Sequence, residues 1–308
     1  MTSNIDSVRD ELNSRLAAAH AAIDSMGLPV GAVAAFVRSA RLLGPYTDYK
    51  HFSVECRDQL AVIGQSLGLV GQRRLLDAAM FQAMSDAFSS GKLVGLPPRA
   101  RQHQLRQFMR ILRRDDPLPS WLDLDDDFFQ KDFGLAAMRL YAGAAQLIDA
   151  RCGIGRSLFL KSGLSGLGRG LALAVECGGL KPMFEIHTHR AYLEEFNEEG
   201  WNECYRVCAD LYGLHPEVKG MVGGSWFYDP AIAQVSPRLA YLSDIPRNGG
   251  AHFFLAATEG HFVKDALATS PSRRKLHEEG KYAPRSFMLV WGKKAQINWA
   301  SNNGLATD

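Results

Sequence analysis

The stretch Met183-Phe184-Glu185-Ile186-His187-Thr188-His189 alternates in character along its length, and the reading of the fold turns on it. A period of two is that of a strand; it puts Glu185, His187 and His189 on one face and Phe184, Ile186 and Thr188 on the other. Downstream, Asn197 is a good helix N-cap, and Glu198 and Glu199 complement the dipole of a first turn. Trp201, Cys204, Tyr205, Cys208, Leu211 and Tyr212 recur at helical spacing until Gly213 and Pro216 stop the pattern, which predicts a helix over 198–212. A run rich in β-formers follows at 218–227. Strand, helix, strand in this order implies an α/β or α+β layer rather than a sandwich.

The same texture, dense in glycine, extends from about residue 153 to the end, with further strands expected at 157–160, 252–257 and 286–290. The first 150 residues read differently. Val8, Leu12, Leu16, Ala19, Ile23 and Met26 recur every three or four positions and predict a helix over 7–26. Further helices are expected at 30–43, 54–68, 70–89, 99–114 and 132–150, with turns at Gly44-Pro45, Ser89-Ser90-Gly91 and Pro97-Pro98. No strand-like alternation stands out there. The expected fold is α+β: a helical domain over 1–150, then a mixed-sheet α/β domain over 151–308 that holds any catalytic site.

Composition narrows the function classes. The 308 residues are 46% hydrophobic and 22% charged, as in an ordinary globular protein. A net charge of +2 predicts no general attraction to nucleic acid or anionic membranes. No secretory signal opens the chain and no apolar run approaches a membrane span, so a soluble, cytoplasmic protein is expected. Five cysteines without CxxC spacing read as reduced thiols. Cys204 and Cys208, four apart, read as core packing, although the spacing also suits two metal ligands.

Several constellations carry possible chemistry. Two imidazoles and a carboxylate on the face of Glu185, His187 and His189 are awkward in an apolar layer and suggest a polar cavity where a histidine takes a proton or binds a metal. A solvent-exposed sheet face is the bland alternative. The run Ser162-Gly163-Leu164-Ser165-Gly166-Leu167-Gly168-Arg169-Gly170 reads equally as a phosphate-binding loop, through Gly163, Gly166, Gly168 and Arg169, and as a flexible connection. In Gly223-Gly224-Ser225-Trp226-Phe227-Tyr228-Asp229-Pro230 the glycines permit a close approach; Trp226 and Tyr228 either wall a substrate pocket or pack a hinge. Residues 99–114 hold six arginines and no acid. RNA contact is one reading of them, but pairing with the acids at 115–127 is favoured. Arg273, Arg274 and Lys275 occupy the first turn of an expected helix, at the wrong end of its dipole for cations.

The order of elements from 183 onward resembles that of the GNAT acyltransferase superfamily, over about residues 153–308. The matching features are the strand bearing Glu185 and His187, the helix 198–212, the strand 218–227, a short apolar helix around 236–242 and the strand 252–257. The resemblance implies transfer of an acyl or aminoacyl group to an amine. It implies Glu185 or His187 as base, with His189 as neighbour or substrate contact, and Tyr241 as acid. It also implies an acyl-CoA or aminoacyl donor as co-substrate, a small amine acceptor and no tightly bound cofactor. The family's glycine-rich donor loop has no counterpart here: Arg190-Ala191-Tyr192-Leu193-Glu194-Glu195-Phe196 fills its place with two acids.

Two rival readings stay open. His187-Thr188-His189 with Glu194 fits the ligand spacing of cupin metal sites, with His252 or His261 as a further ligand, which implies a divalent metal and oxidation or hydrolysis. A non-catalytic interaction protein, with glycines and aromatics as packing, is the other.

Overall fold

The computed structural model describes residues 4–29, 31–41, 44, 48–155, 157–161 and 163–303. Pro45 of the expected Gly44-Pro45 turn and Ser162 of the glycine run lie outside them. The chain divides into two compact units. The first is 1–143 with the short pieces 147–149 and 189–191; the second holds 144–146, 150–188 and 192–308.

In the first unit, α1 (Ile5–Ser25) and α2 (Ala32–Ser39) pack on α3 (Val54–Ser89). The apolar face of α1 read from the sequence is buried at Val8, Leu12, Ala19 and Ile23. The two helices expected at 54–68 and 70–89 run on as α3, bent at Gly68, whose φ is 64°. Then come α4 (Pro98–Leu112) and α5 (Asp127–Ala136). Two arginines of the 99–114 segment pair with carboxylates outside the acidic stretch. Arg110 pairs with Asp132 and Arg114 with Asp77, while the acidic stretch is held from elsewhere, Asp125 by Arg57 and Asp127 by Lys50 and Lys131.

The helix expected over 132–150 is corrected. The chain leaves α5 at Ala136 and forms β1 (Leu140–Gly143) and β2 (Gln146–Cys152), separated by two residues of which Ala144 has a φ of 55°. Leu140, Ala142, Leu147 and Ile148 are fully or almost fully buried. Burial through consecutive residues erases the period of two, and alanine-rich composition then reads as helix. Gln104, itself wholly buried, fixes the start of this pair: it donates to Leu135 O at 3.0 Å and accepts from Ala142 N at 2.9 Å.

The remaining elements, in chain order, are α6 (Ser157–Leu160), α7 (Gly163–Glu176), β3 (Met183–His187), α8 (Glu198–Leu211), β4 (Gly220–Ser225) and α9 (Ile232–Val235). They continue with α10 (Tyr241–Asn248), β5 (His252–Ala257), α11 (Phe262–Ala268), α12 (Pro271–Glu278), β6 (Ser286–Gly292) and α13 (Lys293–Asn303). Residues 157–160, expected as a strand, are the short helix α6. The strands form a six-stranded mixed sheet in the order β1-β2-β3-β4-β6-β5, so the fold is α+β.

Within the second unit β3 and β4 are parallel with α8 between them, and β6 runs antiparallel to both β4 and β5. Both faces of this part are covered. On one, α13 packs against α8, β4 and β6, with Trp291 and Trp299 edge-on to Tyr205 at ring distances of 5.2 and 5.9 Å. On the other, Leu158, Phe159 and Leu173 of α6 and α7 close over Met183, Val222, Phe254 and Val290. Burial on both faces is what such a layer requires. Among the described residues no helix is long and apolar enough to cross a membrane.

Candidate active site

β3 carries the expected alternation as far as His187. Phe184 is fully buried against Tyr212, with ring centroids 4.9 Å apart, and Ile186 is buried on the same side. Glu185 and His187 face the other way and are partly exposed, with His187 Nε2 3.8 Å from Glu185 Oε2. At that distance, beyond hydrogen-bond range, a carboxylate stabilises through its charge the cation that an imidazole becomes on taking a proton.

The alternation ends there, and His189 is placed differently from the sequence reading. It lies beyond β3, in the first unit, with no solvent exposure. Its Nδ1 accepts the Ala191 N–H at 2.9 Å, which assigns the ring proton to Nε2, and Nε2 stands 3.2 Å from Asp132 Oδ1. Asp132 is gripped by both terminal nitrogens of Arg110, Nη1 donating to Oδ2 at 3.1 Å. Beside this cluster is a cavity of about 240 Å³ lined by Asp126, Phe128, Lys131, His189 and Arg190. Both ring nitrogens of His189 are engaged inside the first unit, which leaves it neither a lone pair nor a proton for the chemistry of a neighbouring base.

The parallel pairing of β3 with β4 covers only Phe184↔Met221 and Glu185↔Val222, although β3 runs on to His187 and β4 to Ser225. β4 keeps its pairing with β6 as far as Ser225↔Phe287. The parallel pairing therefore ends at Glu185↔Val222, near the carboxyl ends of the two strands, while Ile186 still lies against Gly223. That is where open α/β sheets take their ligands.

Close packing continues past the last pair. A Cβ on Gly223 would stand 2.8 Å from Ile186 Cγ1 and 3.2 Å from the Tyr228 hydroxyl, so only glycine fits. Beyond β4, Trp226, Phe227 and Tyr228 form a short 3-10 turn. Asp229, fully buried, anchors it by accepting from the Ala231 N–H at 3.0 Å and from Arg285 Nη2 at 2.8 Å. Tyr228 turns inward, 1% exposed. Trp226 instead lies under the Arg273 guanidinium, 4.6 Å from the ring centroid. Arg273 is buried and donates to Ala266 O at the end of α11, at 2.6 Å, and to Ser236 Oγ at 2.9 Å. Its charge, at the wrong end of its own helix, is thus met by the carbonyl end of another.

The start of α8 is closed by the chain itself. Asn197 Oδ1 accepts from Gly200 N at 3.0 Å, and a Cβ on Gly200 would fall 2.0 Å from Glu195 O. Glu198 and Glu199 occupy the first turn. This helix start repels an anion. Tyr241 opens α10, which packs on α8; burial and then the Glu198 charge push its phenol up to about 12.

The glycine run is not the loop expected. Gly163, Gly166 and Gly168 lie in the first turns of α7, where N–H groups past the first turn are bonded within the helix, and the Arg169 guanidinium sits over the Phe254 ring at 5.5 Å. Among the described residues no three His, Cys, Asp or Glu side chains converge to hold a metal ion. His187, His189 and Glu194 accordingly form no such group; Glu194 is exposed on a 3-10 turn, and His261 pairs with Asp265 at 3.3 Å. The cysteines are free thiols, with Cys204 and Cys208 buried on α8.

Three residues central to this geometry escaped the sequence reading. Tyr205 read only as part of an apolar stripe, and Asp229 and Asp132 carried no signal of their own. The chain matches no known family model, and no curated protein or solved structure shows significant similarity to it.

Proposed function

We propose that the second unit transfers an acyl group from a thioester to an amine, in the manner of GNAT acyltransferases. The observation that carries this reading is the Glu185–His187 pair at the carboxyl end of β3, where its parallel pairing with β4 ends. A thioester arm laid across these strand ends brings its carbonyl beside a base. The order strand, helix, strand, short helix, strand over β3, α8, β4, α10 and β5 supports the same reading.

On this reading each residue takes a role. An amine attacks only as its free base, so the pair at Glu185 and His187 removes a proton as the N–C bond forms. Tyr241, held protonated, is the group that returns a proton to the departing thiolate. Because α8 starts with its own cap and two acids, the donor is gripped along its arm and not by a diphosphate at that helix.

The test uses acetyl-coenzyme A and S-acetylpantetheine with a panel of primary amines, reading thiol release and product mass. The expected result is amine-dependent acetylation that falls about 100-fold or more in His187→Ala, with the unfolding midpoint unchanged. Thiol release that is absent, or that persists in His187→Ala, would overturn the reading.

A further inference from the structure

Two glycines stand next to each other near the end of β4, and the fold explains only one of them. Gly223 is required by its packing against Ile186 and the Tyr228 hydroxyl. At Gly224 neither conformation nor packing asks for glycine. Its φ lies outside the left-handed region, and an added Cβ would meet only Met288 Cε at 3.4 Å and Sδ at 3.8 Å, the far end of a flexible side chain. Glycine inside a strand weakens it, and one that packing does not need marks a place where a ligand comes close.

Position says what comes close. The parallel register sets Glu185 beside Val222, and Ile186 still lies against Gly223, so the next step brings His187 abreast of Gly224. Gly223 looks toward Ile186; Gly224 therefore looks the other way, to the side that carries Glu185 and His187. Met288, opposite Gly224 in the β4–β6 ladder, shares that side. Nearer the middle of the strands this side is roofed, with Phe159 and Leu173 of α6 and α7 closing over Val222 and Val290. The roof ends there: Met288 is only partly buried and Gly224 is exposed. An apolar strip beside the Glu185–His187 pair is left open to solvent.

We propose that the acyl chain of the donor lies on this strip, over Gly224 and against Met288, and that Gly224 sets the length of chain the site takes. This rests on the acyl-transfer reading and names its substrate class, a short uncharged hydrocarbon acyl group. The surface under the chain is a bare backbone and a thioether, which gives dispersion contact and no counter-charge. A carbonyl carbon within reach of His187 points its chain across to the neighbouring strand, and the side chain missing at 224 is the room that chain uses.

Gly224→Val fills that room with a β-branched side chain that a strand accepts. The experiment compares kcat/KM for S-butyrylpantetheine and S-acetylpantetheine with the best amine of the panel, reading thiol release. Both values are expected to fall, and the butyryl-to-acetyl ratio to drop by about 30-fold, the scale of a methylene or two in an apolar site. Gly224→Ala is expected to shift the ratio the same way by less. The unfolding midpoint is unchanged or raised in both variants, because the position has space and a strand gains from losing a glycine. A ratio in Gly224→Val within about 3-fold of the wild type overturns the assignment while leaving the transfer reading intact. So does a midpoint lower by several degrees, since Gly224 would then be packed within the fold. Wild-type protein that releases no thiol from either donor overturns both.

Discussion

Asp132 has no contact with solvent, yet it stays ionised below the ordinary carboxylate range. Burial pushes its carboxyl up, and the Arg110 guanidinium and His189 more than offset this. A carboxyl lowered on folding contributes stability that is fully present above its unfolded value of about 4 and is lost as pH falls through the lower folded value. Asp132→Asn should therefore cost roughly 3 kcal/mol near pH 7, through the charge left unpaired on Arg110, and should flatten the acid limb of a stability-against-pH curve below about pH 4. Urea unfolding across that range checks both. The sequence made His189 visible by its spacing from His187, but Asp132 sits in a distant element, and periodicity within one strand carries no information about such a partner. The same holds for Arg273, whose misplaced charge at the start of α12 was legible while its acceptor at the end of α11 was not.

Elements were legible where one face is buried and the other is not. The face of α8, its Asn197 cap and the strands β3, β4, β5 and β6 follow from pattern and capping alone. Where burial is continuous, as in β1 and β2, or where glycines occupy a helix, as in α7, the pattern misleads, because composition then outweighs periodicity. Glycine also means different things in neighbouring positions of β4. At Gly223 an added methyl meets Ile186 at 2.8 Å, whereas at Gly224 the nearest atom is the flexible Met288 Cε at 3.4 Å. Gly223→Ala is expected to cost about 1–3 kcal/mol and Gly224→Ala well under 1, measured by chemical denaturation.

For the molecule as a whole, the α+β class was readable, and so was a change of texture near the middle of the chain. The short piece 189–191 joins the first unit from inside the second half of the sequence and takes His189 with it. The candidate site accordingly rests on Glu185 and His187 and on the end of the pairing between two parallel strands. Hydrogen exchange read by mass spectrometry with and without S-acetylpantetheine tests that claim most directly. Slowed exchange confined to peptides covering Ile186 to Thr188 and Gly223 to Tyr228 is the expected result. Unchanged exchange in both, with protection appearing in another part of the chain, would contradict it.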